Sequence, residues 1–328
     1  MLAESKPRVS IAHLPTPVEL LHRLSAELGG PSIWCKRDDQ TGLATGGNKT
    51  RKLEFLVAEA IAQGADVLLT CGAAQSNHAR QTAAAAAKFG LDCTLVLHRP
   101  QDGSAPAPQG NLVLDRLVGA RIVWADGDLE EALAAIAEDL RGQGRSPYVV
   151  PYGGSNPVGA SGYVAAMDEL LVQCAQMDLH FDHIVLASSS GGTQAGLAVG
   201  ARARGYDGRI LGLSVDPEAS ELKGALAELA TATAHHLGVP WDFSPKDFDV
   251  EDGYRGEGYG VVGELEREAI QTVARTEGLL LDPVYTGRAF GGLLDLIRDG
   301  AFASEERVLF WHTGGIPGLF AYVEDLQL

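Results

Sequence analysis

Apolar residues recur at helical spacing through Leu53, Leu56, Val57, Ala60 and Ile61, directly after the paired glycines Gly46-Gly47. The glycines allow a tight turn, so Lys49 falls where a turn becomes a helix. Unpaired backbone N–H groups and the positive end of the helix dipole lie at such a junction and disfavour a protonated amine. Lys49 and Lys52 are also readable as solvated charges of a first turn. Downstream, residues 67–70 suit a buried strand, and the alanine-rich stretch 78–89 a helix closed by Gly90. Further strands are predicted at 93–97, 121–124, 148–151, 184–187, 210–215, 279–281 and 308–311. Further helices are predicted at 111–117, 193–204, 218–237, 263–276 and 287–298. A helix that opens on the capping-box-like pair Asp128 and Glu131 carries Leu129, Leu133, Ile136, Ala137 and Leu140 on one side. Near the start, residues 18–28 read as a helical run and 32–36 as a strand. Strands that alternate with helices predict an α/β fold with parallel sheets. For 328 residues, two sheets with a ligand crevice between them fit better than one.

Composition narrows the partners. The chain is 45% hydrophobic and 21% charged, ordinary for a soluble globular protein, with a formal net charge of -17. That charge excludes nucleic acid and anionic membrane as partners, and an anionic substrate must be drawn by local fields. Cys35, Cys71, Cys93 and Cys174 are widely spaced, which predicts reduced thiols and neither a disulfide frame nor a metal site. The first ten residues lack an apolar leader core and no run reaches about 18 apolar residues. A cytoplasmic location is expected. Residues 99–109, with three prolines and one glycine, read as a surface loop. Lys36-Arg37-Asp38-Asp39 reads as a local ion-pair cluster.

Four strand-following loops carry the candidate chemistry. Ser190, Gly191, Gly192 and Thr193 lie in a Ser/Gly-rich stretch that opens a helix, where N–H groups and hydroxyls suit an anion. The stretch lacks a P-loop lysine and the G-x-G-x-x-G order, so a small phosphate ester suits it better than ATP or NAD. Gln75, Ser76 and Asn77 suit a carboxylate, although Asn77 is equally readable as a helix cap and His78 and Arg80 as solvated. The stretches 282–287 and 312–315 put polar side chains at strand carboxyl ends, where α/β folds bind ligands. Tyr285 is readable as a core tyrosine and His312 as packed. Tyr259, flanked by Gly258 and Gly260, sits either on a substrate-facing lid or on an ordinary turn.

Taken in order, Gly-Gly-Asn-Lys-Thr-Arg-Lys-Leu-Glu-Phe (46–55), Gln-Ser-Asn-His-Ala-Arg-Gln (75–81), Asp-Pro-Val-Tyr-Thr-Gly (282–287) and His-Thr-Gly-Gly (312–315) have a specific likeness. The chain resembles the pyridoxal-phosphate enzymes of the tryptophan-synthase-β fold type. Within these it resembles the group holding D-cysteine desulfhydrase, L-cysteate sulfo-lyase and 1-aminocyclopropane-1-carboxylate (ACC) deaminase. The likeness runs from about His13 to Tyr322. It implies two domains: residues 1–51 with 161–328 as a large cofactor domain, and 52–160 as a smaller inserted one. It implies that Lys49, rather than Lys52, bonds the cofactor aldehyde. Asn77 would contact the cofactor 3-hydroxyl, and Ser190, Gly191, Gly192 and Thr193 its phosphate. Gln75, Ser76 and Asn77 would bind the substrate carboxylate, with Ser76 close to the Cα proton. Tyr259 and Tyr285 match the two active-site tyrosines of the family. A homodimer is also implied.

The chemistry expected from such a site is proton removal from Cα, by Lys49 or a tyrosinate, with the cofactor ring storing the electrons. A leaving group on Cβ then departs, and pyruvate and ammonia follow. ACC deaminases carry glutamate and leucine where this chain has Thr286 and Thr313. Neutral threonines give a weaker electron sink, sufficient when thiolate or sulfite leaves. The segment 285–287 looks like the desulfhydrases, whereas 41–47 and 75–81 look like the cysteate enzymes. Arg80 is the candidate cation for a sulfonate. The expectation is elimination from D-cysteine, with L-cysteate second and ACC demoted. A cofactor-binding protein without turnover and a racemase are the other readings.

Overall fold

The computed structural model describes residues 2–99 and 106–327. Two sheets organise the chain, each flanked by helices on both faces.

The first sheet has six strands: β1 (Val18–Leu20), β2 (Ser32–Arg37), β7 (His183–Ser188), β8 (Arg209–Ser214), β9 (Asp249–Glu251) and β10 (Arg307–His312). Their order is β1-β2-β10-β7-β8-β9, all parallel except β1, which runs antiparallel to β2. The second sheet is wholly parallel, in the order β5-β4-β3-β6. Its strands are β3 (Val67–Gly72), β4 (Asp92–His98), β5 (Arg121–Ala125) and β6 (Pro147–Val149).

Period-two alternation decides which side chains meet which helices. In the second sheet Leu68, Leu95 and Leu97 pack on α2 (Lys49–Ala62), α3 (Asn77–Phe89) and α4 (Asn111–Leu117). Val67, Leu69, Cys71 and Val96 face the other way, onto Leu133, Ala137 and Leu140 of α5 (Leu129–Gly142). In the first sheet Ile184, Leu186, Leu309 and Trp311 pack on α6 (Pro157–Met177) and α7 (Gly192–Arg204). Ile33, Cys35, Val185, Leu211 and Phe310 meet α1 (His22–Leu28), α9 (Glu264–Glu277) and α10 (Thr286–Arg298). The remaining helices are α8 (Ala219–His236), packed on α7, and the short α11 (Ile316–Leu319). Among the described residues no helix is long and apolar enough to cross a membrane.

Several expectations need correction. Residues 18–28 are not one helix: Val18–Leu20 pairs with Trp34–Lys36 as an edge strand before α1 begins. Residues 279–281 alternate buried, exposed, buried like a strand, yet they join no ladder. The longest helix, α6, and the edge strand β9 were not anticipated. Asn156 caps α6 by accepting from the Gly159 N–H at 2.8 Å, with Pro157 in the first turn. Apart from these corrections, the domain limits expected near 51 and 160 lie within α2 and α6, the helices through which the chain passes from the first sheet to the second and back. Of the expected surface loop at 99–109, residues 100–105 lie outside the described residues.

Candidate active site

The loops that follow β3, β6, β7 and β10 line one cleft, together with the start of α2. This is where parallel α/β sheets gather ligand-binding groups.

Lys49 is the first residue of α2 and lines the cleft. The turn before it demands glycine: Gly46 has φ +74°, and a Cβ there would lie 1.9 Å from the Asp39 carbonyl oxygen. The turn is tied from three sides. Arg80 Nη2 donates to the Gly46 carbonyl at 2.9 Å, the Asn48 N–H donates to the Thr313 carbonyl at 3.0 Å, and Asn48 Nδ2 donates to Thr193 Oγ1 at 3.0 Å. Burial draws the Lys49 amine down from the usual lysine value to about 8. Among the described residues its amine has no hydrogen-bond or ion-pair partner.

One turn along α2, Lys52 is buried as well. Its Nζ donates to the Gly153 carbonyl at 3.0 Å and to Ser155 Oγ at 3.1 Å. Burial, and then the neighbouring Lys49 charge, push its amine well below the usual value. A Cβ on Gly192 would come within 2.7 Å of Lys52 Nζ, so the ammonium lies against the first turn of α7. Ser155 Oγ accepts from the Gly192 N–H at 3.1 Å and is 2.8 Å from Ser190 Oγ. Gly191 supplies no side-chain cap to α7. Lys52, Ser155, Ser190, Thr193 and the open end of α7 therefore form a cradle of donors that contains no carboxylate. That donor set fits a phosphate group. Lys52 is not a solvated charge, and Ser155 was not anticipated. The sequence signal for Lys52 was its i+3 offset from Lys49; Ser155 had only its place in a strand-following loop.

Across the cleft, Ser76 caps α3 by accepting from the Ala79 N–H at 3.1 Å, so the cap is Ser76 and not Asn77. Asn77 lines the cleft, with its Oδ1 accepting from Arg80 Nη1 and from Asn111 Nδ2, each at 3.0 Å. Gln75 does not line the cleft; its side chain accepts from the Asn111 N–H at 2.8 Å and donates to the Gln109 carbonyl at 3.1 Å. His78 and Arg80 are buried rather than solvated. His78 lines the cleft and is held neutral, its acidity raised by burial and by Lys49 and Lys52. Thr70 Oγ1 donates to the Val150 carbonyl at 2.9 Å and therefore accepts from His78 Nε2 at 2.7 Å.

Tyr285 lines the cleft, and Tyr259 stands behind it with the two hydroxyls 2.7 Å apart. Burial pushes both phenols up, so neither ionises near neutral pH. The Tyr259 loop is pinned rather than free, because Arg288 donates to the carbonyls of Gly258 at 3.0 Å and Val261 at 2.7 Å. Thr313 lines the cleft. Thr286 is buried away from it, donating to Asp282 Oδ1 at 2.8 Å and accepting from the Asp282 N–H at 2.8 Å. Asp282 also accepts from the N–H groups of Val284, Tyr285 and Thr286, which fixes the start of α10. His312 is packed, as expected, with Nε2 3.1 Å from the Leu280 carbonyl.

Comparison with known proteins agrees with this geometry. The chain is 44% identical over 320 residues to the D-cysteine desulfhydrase of Salmonella choleraesuis (strain SC-B67), covering 96% of each. A crystal structure of an ACC deaminase homologue superposes with a TM-score of 0.91 at 40% identity, covering 99% of this chain and 97% of that one. An L-serine ammonia-lyase from Rhizomucor miehei, 17% identical, shares the fold with a TM-score of 0.70, covering 96% of this chain and 98% of that one. The family model described as pyridoxal-phosphate dependent enzyme matches residues 9–314. An unpaired amine of lowered basicity above an acid-free anion cradle is what such a cofactor requires, and the chain belongs to the family of pyridoxal-phosphate dependent enzymes.

Proposed function

We propose that the chain catalyses β-elimination from D-cysteine, releasing pyruvate, sulfide and ammonia. The observation that carries this reading is the Lys49 amine, unpaired and with a pKa of about 8, which lines one cleft together with Ser190, Gly191, Thr193 and Tyr285. The relative named D-cysteine desulfhydrase, matched over nearly its whole length, supports the same reaction.

Lys49, whose neutral amine is accessible near pH 8, would bond the cofactor aldehyde. Lys52, Ser155, Ser190, Gly191, Gly192 and Thr193 would hold its phosphate. Asn77 would donate to its 3-oxygen. Bound there, the cofactor supplies an electron sink for the pair left behind when the Cα proton departs. With its neutral amine lining the cleft, Lys49 would be the group suited to receive that proton. The buried phenols of Tyr259 and Tyr285 stay protonated; Tyr285 would serve as the hydrogen-bond partner at the leaving sulfur, with Tyr259 hydrogen-bonded behind it. Ser76 keeps its hydroxyl proton for the substrate carboxylate, since its oxygen already accepts from Ala79. Gln75 acts on the substrate side only through the backbone of that loop, and Thr286 through Asp282.

A thiol leaving group suits the cleft better than a sulfonate. Arg80, the candidate sulfonate partner, has its guanidinium engaged by Asn77, Asn111 and Gly46 and does not line the cleft. The uncharged Thr313 and Thr286 offer no acid of the kind expected for ACC opening.

We extend the proposal to the assembly, the location and the two lobes. Exposed Val113 and Leu117 on α4 and exposed Phe320 and Val323 suit burial in a homodimer; sedimentation would show twice the chain mass. Four free, buried cysteines suit a reducing cytoplasm. Residues 52–160 form the smaller lobe that carries the second sheet.

The test is product release by the cofactor-loaded protein from D-cysteine, L-cysteine, L-cysteate and ACC, with Lys49→Ala as control. Sulfide and pyruvate from D-cysteine, abolished in the variant, are expected. Sulfite from L-cysteate instead would overturn the substrate, and pyruvate from none would overturn the reaction.

A further inference from the structure

Arg80 is fully buried, and among the described residues no acid lies within ion-pair distance of its guanidinium. Burial draws it down to about 10, and its Nε finds no acceptor. A buried cation without an ion pair is costly, so its remaining contacts merit a reason. They are three: Nη1 donates to Asn77 Oδ1 at 3.0 Å and to Asn111 Oδ1 at 2.8 Å, and Nη2 donates to the Gly46 carbonyl at 2.9 Å.

A guanidinium has five donors and no acceptor, so it dictates the orientation of any amide it touches. The Asn111 oxygen must face Arg80, which turns its Nδ2 to the Gln75 carbonyl at 2.9 Å and to Asn77 Oδ1 at 3.0 Å. The Asn77 oxygen is thereby held by two donors. Flipping that amide would set its NH2 against both Arg80 Nη1 and Asn111 Nδ2. Asn77 Nδ2 donates to no described group, and Asn77 lines the cleft.

We propose that Arg80 is a positioning residue that acts through Asn77, locking its amide so that a donor, never an acceptor, faces the anionic 3-oxygen of the cofactor. This rests on the reading of Asn77 as a cofactor contact. The same side chain reaches the Gly46 carbonyl, but that turn has its own ties from Asn48 to Thr313 and Thr193, so the effect of Arg80 on the cofactor runs through Asn77.

The experiment is a double-mutant cycle read as the dissociation constant of pyridoxal phosphate, followed by its visible absorption, on wild type, Asn77→Ala, Arg80→Met and the double variant. Asn77→Ala and Arg80→Met are each expected to weaken binding roughly tenfold, and the double variant to be no weaker than Asn77→Ala alone. Penalties that multiply in the double variant would overturn the inference while leaving Asn77 a cofactor contact. Asn77→Ala binding like wild type would overturn the contact reading and the inference with it. Because Arg80 is buried and its replacement perturbs the core, Asn77→Asp provides a second arm. It retains an oxygen for Arg80 and Asn111 but turns another oxygen to the cleft, so it is expected to bind more weakly than Asn77→Ala. Equal or tighter binding would overturn the locked polarity.

Discussion

Helix α2 carries basic side chains on two sides, and they are treated in opposite ways. On one side Arg51 is surrounded by acids: it donates to both oxygens of Asp38 at 2.8 Å and to those of Glu169 at 3.1 and 2.9 Å. Lys36 joins the same group through Glu169 at 2.6 Å, and Tyr163 and Trp311 also donate to Asp38. Burial alone would raise the Asp38 carboxyl, but the Arg51 charge and hydrogen bonds outweigh it and hold the group at about 2. On the other side Lys52 meets a carbonyl, a hydroxyl and the Lys49 charge, Lys49 has no partner among the described residues, neither is paired with an acid, and both amines are driven down. A buried cation ringed by acids is a strut, satisfied within the protein. Buried cations without acids are half of an interaction whose other half is an anion brought from outside.

This contrast can be broken by substitution. The largest effect is expected for Lys49→Ala, which removes the amine proposed to bond the cofactor: turnover should fall by about a thousandfold or more while the melting temperature holds. Comparable loss of both would make Lys49 a structural residue. Next is Arg51→Met, which strands Asp38 and Glu169 and should destabilise the protein by about 3–5 kcal/mol in denaturant unfolding. Lys52→Met should do the reverse, leaving the cofactor-free protein as stable or more so, while cofactor affinity drops ~10- to 100-fold. Of similar size, inorganic phosphate at about 100 times its dissociation constant should stabilise the cofactor-free protein by about 2.7 kcal/mol, an effect absent in Lys52→Met. The gentlest probe is pH. A lysine held at about 8 offers more neutral amine as pH rises, so cofactor capture should accelerate up to about pH 8 and level off above it. A rise continuing to pH 10 would mean an ordinary, solvated amine.

The paired side of α2 was legible only in part from Lys36-Arg37-Asp38-Asp39: Arg37 and Asp39 form the local pair expected, whereas Lys36 and Asp38 pair with Glu169 and Arg51 farther along the chain. The unpaired side was legible as a turn-to-helix motif at Lys49, and the resemblance carried the remaining assignments. What was missed has physical causes. Helix α6 shows no amphipathic stripe because it is packed on more than one side, and its glycines admit close neighbours. A Cβ on Gly162 would lie 2.4 Å from the Arg51 carbonyl oxygen, and one on Gly159 2.1 Å from that of Gly154. Residues 18–28 mimic a helix through Leu21, Leu24 and Leu28, yet the edge of the sheet claims the first three as a strand. The link from Arg80 through Asn111 to Asn77 joins residues 31 and 34 positions apart by amide polarity, which no local pattern encodes.

The most direct test of the contrast is to load the protein with pyridoxal phosphate, reduce it with borohydride and locate the labelled lysine by peptide mass. Label on Lys49, with Lys52 unmodified, is the predicted result. Label on Lys52, or on both, would contradict the division of α2 into a bonding amine and an anion-holding one.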